Sequence, residues 1–200
     1  MKIAIAIPSG DHLVAELAMR LPGIMGTAQA AGHTCVLLNQ RASNPAANLG
    51  LMLAAVLEHG FDAVLTLDSD MAPPADVLPR LLAREVDVVG VLYRGRQPPY
   101  GIHGRDLDGQ VPAPPYTGLR EVGWVAGGCV LIRRHVLEAM GQPLREDVRD
   151  ETGRLIGHDV WFCLRARELG FGVFADLDVS AETAHYALVP LRLECKGRLA

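Results

Sequence analysis

The chain has 200 residues, of which half are hydrophobic and 21% charged, and its formal net charge is −4. That is enough apolar chain for one domain, residues 1–200, with a continuous core, and no biased tract marks disorder. A mildly acidic chain without a lysine–arginine cluster argues against a nucleic-acid polymer as partner; one small phosphate ligand stays compatible if a metal ion supplies positive charge.

The first apolar run, KIAIAI (2–7), is cut by Pro8 and Asp11; it is too short for a secretory signal and reads as a strand. A helix is predicted over 11–31 with an interruption at Pro22, then a strand at TCVLL (34–38) and a helix over 45–59. A strand at AVLTL (63–67), a helix over 74–84 and a strand at VDVVGVLY (86–93) follow. Arg94 to Gly123, with five prolines and several glycines, reads as a long loop crossing one face, the kind of loop that carries function. Beyond it come a strand at GCVLIRR (128–134) and a helix over 134–140. Gly141 to Gly157, with Arg145, Glu146, Asp147, Arg149, Asp150 and Glu151, reads equally as a solvated loop or as a lid over an acceptor site. A helix over 158–169 and a strand at GVFADL (172–177) close the pattern.

Strands apolar at nearly every residue, alternating with helices, predict an α/β fold with a mostly parallel sheet covered on both faces. Leu51, Ala54, Ala55 and Leu57, and later Val160, Cys163 and Leu164, are the expected core-facing helix positions. No run is long enough to cross a bilayer. Cys35, Cys129, Cys163 and Cys195 are scattered without CxxC spacing, which predicts reduced thiols in a cytoplasmic protein.

LTLDSDMAPP (65–74) carries the strongest chemical signal. Asp68 and Asp70 end a buried strand with Ser69 between them, and if extension persists to Asp70 both point the same way. Open α/β sheets bind ligands beyond the carboxyl ends of their strands. Two convergent carboxylates there make a hard-oxygen site suited to Mg2+ or Mn2+. A turn entering a helix explains the same residues, since Asp and Ser cap helices and Pro73-Pro74 follow.

The ordered set LTLDSDM, APPADVLPRLL, VDVVGVLYRGRQPP, GWVAGGCVLIRRHVLEAM and GHDVWFCLRARELGFGVFADLDVSAETAH resembles GT-A fold glycosyltransferases, most closely the small family 2-like enzymes, from Asn44 to His185. The resemblance implies a Rossmann-like three-layer α/β/α sandwich, with a nucleotide-binding part about 1–93 and an acceptor part about 94–200. It implies metal-dependent transfer of a sugar from a nucleotide-diphosphate donor to an acceptor hydroxyl, with inversion. Mn2+ or Mg2+ is the implied cofactor, and a lipid-linked acceptor would bring the protein to a membrane periphery.

By the same resemblance, Asp70 binds the metal directly, Asp68 contacts the donor and assists the ion, and the late His185 reaches metal or diphosphate. Asp159 matches the general base that takes the acceptor proton, although a first-turn acid beside the helix dipole explains it too. His158 stands where relatives carry Glu, a departure bearing on acidity or acceptor choice. Arg96, better than Arg94, matches the family's arginine–proline spacing for a phosphate contact. Gly127 and Gly128 let backbone approach a sugar or mark a bulge, and Trp124 offers a sugar face or core packing. Pro8 and Ser9 match the nucleotide position. The aspartate many relatives use for base recognition is missing, and Asn39, Arg41 and Asn48 are the substitutes.

Two other readings are weaker. A nucleotidyltransferase of related fold would show a glycine-rich basic loop after the first strand, which IPSGDHLVAEL lacks, and a phosphatase with paired aspartates would place them after the first strand. A catalytically inactive sugar-nucleotide-binding module differs from the enzyme by Asp159 alone.

Overall fold

A computed structural model describes residues 1–187 apart from 11, 42–44, 143, 145–147, 150 and 154. Arg145, Glu146, Asp147, Asp150 and Cys195 therefore lie outside the described residues, as do Asp11 and Asn44. The first half runs β1 (Lys2–Ser9), α1 (Ala15–Ala30), β2 (Thr34–Arg41), α2 (Pro45–Glu58), β3 (Ala63–Leu67), β4 (Met71–Ala72), α3 (Val77–Leu82), β5 (Val88–Gly90) and β6 (Tyr93–Arg94). It continues with β7 (Ile102–Arg105), β8 (Leu119–Glu121), β9 (Trp124–Val125), β10 (Cys129–Arg133), α4 (Arg134–Met140), β11 (Val148–Arg149) and β12 (Leu155–Ile156). α5 (His158–Glu168), β13 (Val173–Asp176), α6 (Leu177–Glu182) and β14 (Ala184–His185) follow.

Seven strands form the central sheet in the order β2-β1-β3-β10-β5-β13-β8. β1 pairs parallel with β2 and β3, and β5 with β13; β10 and β8 run antiparallel to their neighbours. Side chains alternate along each strand, and the alternation sorts the core into two layers. Ala4, Ala6, Val64, Val88, Val130 and Ile132 face α2, α4 and α5, meeting Leu53, Val56, Leu137 and Phe162. Ile3, Ile5, Leu65, Val89 and Leu131 face α1 and α3, meeting Leu17, Ile24, Leu78 and Leu81. Both layers need apolar strands, which is why the strand runs read as continuous.

Several expectations are corrected. α1 continues through Pro22, which lies on the exposed face, as does Ala18, whose carbonyl loses its helical donor there. In α2 the buried stripe is Leu49, Met52, Leu53 and Val56, a spacing of three and four, while Leu51 is 61% exposed. In α5 Cys163 is buried as expected, but Leu164 is exposed and Phe162 and Ala166 are the other core positions. β2 is an edge strand exposed at most positions, so its apolar run is not covered on both faces. The VDVVGVLY run divides between β5 in the main sheet and β6 in a three-stranded sheet, β6-β7-β9. The long loop is thereby a strand-bearing segment, and its β8 edges the main sheet. These strands are two to four residues long, too short to show a period in sequence.

The far edge of the sheet is held by a half-buried ion pair. Asp176, fully buried, caps α6 by accepting from Val179 N–H, and Arg84 Nε donates to its Oδ2 at 2.7 Å. Arg84 also reaches Asp178, whose carboxyl is held below the usual range by the Gly118 N–H and by Arg84. Arg84→Ala would leave a buried charge uncompensated and should lower unfolding free energy by about 2–4 kcal/mol in urea titrations. Asp178→Asn, at an exposed partner, should have a clearly smaller effect in the same titration.

Candidate active site

The site forms where β3 leaves the core. β3 is buried throughout, and Asp68 N–H still donates to Gly128 O at 2.9 Å. Met71 N–H then donates to Asp68 O at 3.1 Å, so the chain turns over Asp68–Met71 instead of staying extended to Asp70. The expected pleat geometry for the two carboxylates is thus replaced by a turn. That turn is pinned from both sides. Val14 N–H, at the start of α1, donates to Ser69 O at 2.9 Å, and Tyr186 N–H donates to Asp70 O at 2.9 Å. Arg20 of α1 donates to the carbonyls of Ala72 and Pro73.

β14 pairs antiparallel with β4, with His185 opposite Met71. This brings His185 Nε2 to 3.5 Å from Asp70 Oδ1, while Nδ1 contacts the Arg94 carbonyl at 2.7 Å. Arg96 Nη1 meets the other oxygen, Asp70 Oδ2, at 2.5 Å. Burial opposes the charged form of Asp70, but the His185 contact and the Arg96 charge prevail and hold its carboxyl below the usual range. Burial likewise opposes charging of His185, and its contacts with Asp70 and the Arg94 carbonyl prevail to raise its pKa.

Tyr93, at the end of β6, joins these groups to the core. Its ring meets His185 edge-on with centroids 4.9 Å apart and stacks on His103 at 5.8 Å. Its hydroxyl accepts from Gly128 N–H at 3.1 Å. Burial, then the Asp68 carboxylate, with Asp159 and Asp70 adding, push the Tyr93 hydroxyl far above its ordinary pKa. Burial holds His103 below the usual histidine range, with Asp159 pulling the other way. Asp68, Asp70 and Asp159 therefore act electrostatically on one cluster. Burial, reinforced by Asp68, pushes the Cys129 thiol up to about 12, so it stays protonated.

Asp159 lies in the first turn of α5, its Oδ1 accepting from Val160 N–H at 2.9 Å. A Cβ on Gly157 would lie 2.9 Å from that oxygen, so the glycine leaves room for the carboxylate. His158 opens the same helix. Gly127 is buried and its carbonyl accepts from Thr66 Oγ1 at 3.0 Å. Pro8 and Ser9 end β1 in register with Gln40 and Arg41, and Asn39 Nδ2 donates to Ser9 Oγ at 2.9 Å. Arg41 is exposed at the end of β2. Asn48 is 1% exposed and donates to Gln40 O at 2.7 Å, tying α2 to β2. Trp124 packs against both hydrophobic layers, with Arg105 5.6 Å from its ring centroid.

A cleft of about 780 Å3 opens between the start of α1, the Asp68–Met71 turn and the β6–β7 connection; Gly10, His12, Ser69, Asp70, Arg96 and Tyr186 are on its walls. Among the described residues, no three carboxylate, imidazole or thiol side chains close into a ready-made metal cluster. The donor set nevertheless fits a divalent ion. Carboxylate oxygen and imidazole nitrogen suit Mn2+, and the 3.5 Å gap between Asp70 Oδ1 and His185 Nε2 is close to the roughly 3 Å between neighbouring ligands of an octahedral ion. Tyr93 and His103 were missed in sequence. The usable signal was an aromatic with a polar tip ending an apolar run just before RGR.

Gly128 is required by packing, since a Cβ there would lie 2.6 Å from Tyr93 Oη. Gly128→Ala should destabilise by about 1–3 kcal/mol in denaturant unfolding. In a Tyr93→Ala background the same change should cost less than about 0.5 kcal/mol, a non-additivity that identifies the contact.

No protein-family model matches the chain, and no curated protein matches it in sequence. Solved structures do. A197 from STIV superposes with a TM-score of 0.62 at 20% identity, over 95% of this chain and 87% of that one. GalNAc-T7 with UDP, GalNAc and Mn2+ gives 0.59 at 11% identity, over 94% of this chain and 44% of that one. A Drosophila beta-1,4-galactosyltransferase 7 in complex with manganese, UDP-Gal and xylobiose gives 0.53 at 16% identity, over 92% and 70%. The chain has the GT-A fold, a Rossmann-like, mostly parallel sheet between layers of helices.

Proposed function

We propose that the protein is a metal-dependent glycosyltransferase that moves a sugar from a nucleotide-diphosphate donor to an acceptor hydroxyl, with inversion. The observation that carries this reading is the meeting of His185 and Arg96 on the two oxygens of Asp70, with Asp70 and Arg96 on the wall of the cleft at the carboxyl ends of β1 and β3. The manganese and UDP-Gal of the galactosyltransferase structure, and the Mn2+, UDP and GalNAc of GalNAc-T7, support the same ligand class.

In this reading Asp70 and His185 hold Mn2+ or Mg2+, and Asp68 assists from the start of the turn. A bound divalent ion would supply Lewis-acid stabilisation of charge on the departing diphosphate. Arg96 offers a guanidinium to the same phosphates. The N-terminal turn of α1, which lines the cleft through Val14 and Ala15, adds the positive end of a helix dipole. Pro8, Ser9 and Arg41 border the nucleotide side, with Asn48 behind them. Gly127 is the backbone offered to the sugar in this reading, while Gly128, packed under the Tyr93 hydroxyl, holds Asp68 in place through its carbonyl. Asp159, in the first turn of α5, accepts the proton of the attacking acceptor hydroxyl. In this reading the acceptor binds within the part of the chain that begins at about residue 94, which also lends Arg96 and His185 to the donor, and the acceptor's identity follows from a screen.

The test is release of nucleoside diphosphate from several nucleotide sugars with Mn2+ and a broad acceptor panel. Asp159→Asn should lower kcat by about 10²- to 10⁴-fold with little change in donor KM. Asp70→Ala should abolish manganese-dependent turnover while the unfolding midpoint is kept. Donor binding without turnover on any acceptor would instead identify a sugar-nucleotide-binding module.

A further inference from the structure

Arg96 occupies a position that a phosphate contact alone does not require. It pairs with Asp70 Oδ2 on the cleft wall, with the Arg96 side chain 59% exposed and that of Asp70 18%. The second oxygen of Asp70 faces His185. The guanidinium therefore neutralises the carboxylate that a divalent ion would need, and two cations on one carboxylate repel each other.

The backbone under Arg96 is fixed by strand pairing, while its mostly exposed side chain reaches Asp70 through a single guanidinium nitrogen. β6 and β7 pair Tyr93 with His103 and Arg94 with Ile102. Gly95 N–H donates to Gly101 O at 2.8 Å, and Tyr100 N–H to Gln97 O at 2.8 Å. Gly95 also lies beneath His103, where a Cβ would come within 2.7 Å of Nε2. The neighbouring cations are engaged elsewhere: Arg94 donates to Tyr100 O and Arg20 to Ala72 O and Pro73 O. A long, mostly exposed side chain on a fixed hairpin can turn from Asp70 to a ligand in the same cleft without moving the fold.

We propose that Arg96 is an exchangeable counter-ion, neutralising Asp70 in the empty protein and passing to the donor diphosphate as a divalent cation takes its place. This rests on the glycosyltransferase reading and deepens it, because it makes metal and donor binding mutually reinforcing through one side chain. Whatever factor the diphosphate adds to metal affinity, the metal adds to diphosphate affinity. The empty protein then resists free metal, and the site assembles when donor and metal are both present.

The experiment compares the full chain with R96Q and R96K. Electron paramagnetic resonance of free Mn2+ measures metal binding without nucleotide, and calorimetry with UDP and with GDP in chelator measures nucleotide binding without metal. R96Q should bind Mn2+ about two- to fivefold more tightly, the effect of releasing a partly exposed ion pair. The same variant should bind the metal-free nucleotide at least about fivefold more weakly, through loss of a charge-assisted phosphate contact. R96K keeps the charge but not the planar fork, and should fall between R96Q and the unmodified chain in both. Opposite signs in one variant distinguish exchange from a structural role, which would weaken both. If R96Q binds Mn2+ no more tightly while the unmodified chain binds Mn2+ and nucleotide, exchange is overturned and the glycosyltransferase reading stands. If the unmodified chain binds neither, both fall.

Discussion

Keeping carboxylates at the rim of an apolar sheet is the constraint on which this structure depends. β3 is fully buried through Leu67, and the first anionic side chains appear at Asp68 and Asp70, where the strand ends. A carboxylate moved inward would lose its hydration with nothing to replace it. At the rim, Asp70 meets a guanidinium on one oxygen and an imidazole on the other. Two distant segments, the β6–β7 hairpin and β14, thus bring a guanidinium and an imidazole to the anion.

Tyr93 links that polar rim to the interior. Its ring is 9% exposed and belongs to the layer beneath α1 and α3. Its edge backs His185 and its hydroxyl fixes Gly128, whose carbonyl in turn receives Asp68 N–H. One aromatic residue therefore couples the position of the histidine to that of the strand end carrying the acids. Packing is felt at sub-ångström scale in such contacts, so the glycine at 128 is as much part of the site as the charged groups.

Strand and helix order was largely legible, because a two-faced core makes the strand runs almost wholly apolar and their separation by helices visible. The DSD segment was legible for the same reason: charge at the end of an apolar run is conspicuous. Leu51 and Leu164 misled because an apolar residue beside a helix stripe looks like part of it, and only the neighbouring layer decides which face is covered. β2 misled because edge position is a property of sheet order. The segment from Arg94 to Gly123 looked structureless because strands of two to four residues have no period, and their pairing partners are elsewhere in the chain.

The sequence by itself determined the alternation of elements, the acidic end of the third long strand and the residue types available for a metal and a diphosphate. Those follow from local pattern and side-chain chemistry, which a linear reading contains. Tertiary structure alone decided that His185 and Arg96 share Asp70, that the two acids sit on a turn, and that Tyr93 joins them to Gly128. The contacts of Arg96 and His185 with Asp70 and of Tyr93 with Gly128 span 26 or more positions of chain. The local turn is pinned by Val14 and Tyr186 from equally far away, through the register of strands such as β14 on β4 and β6 on β7. Register is fixed by how buried faces fit together, and no short stretch of sequence carries that information.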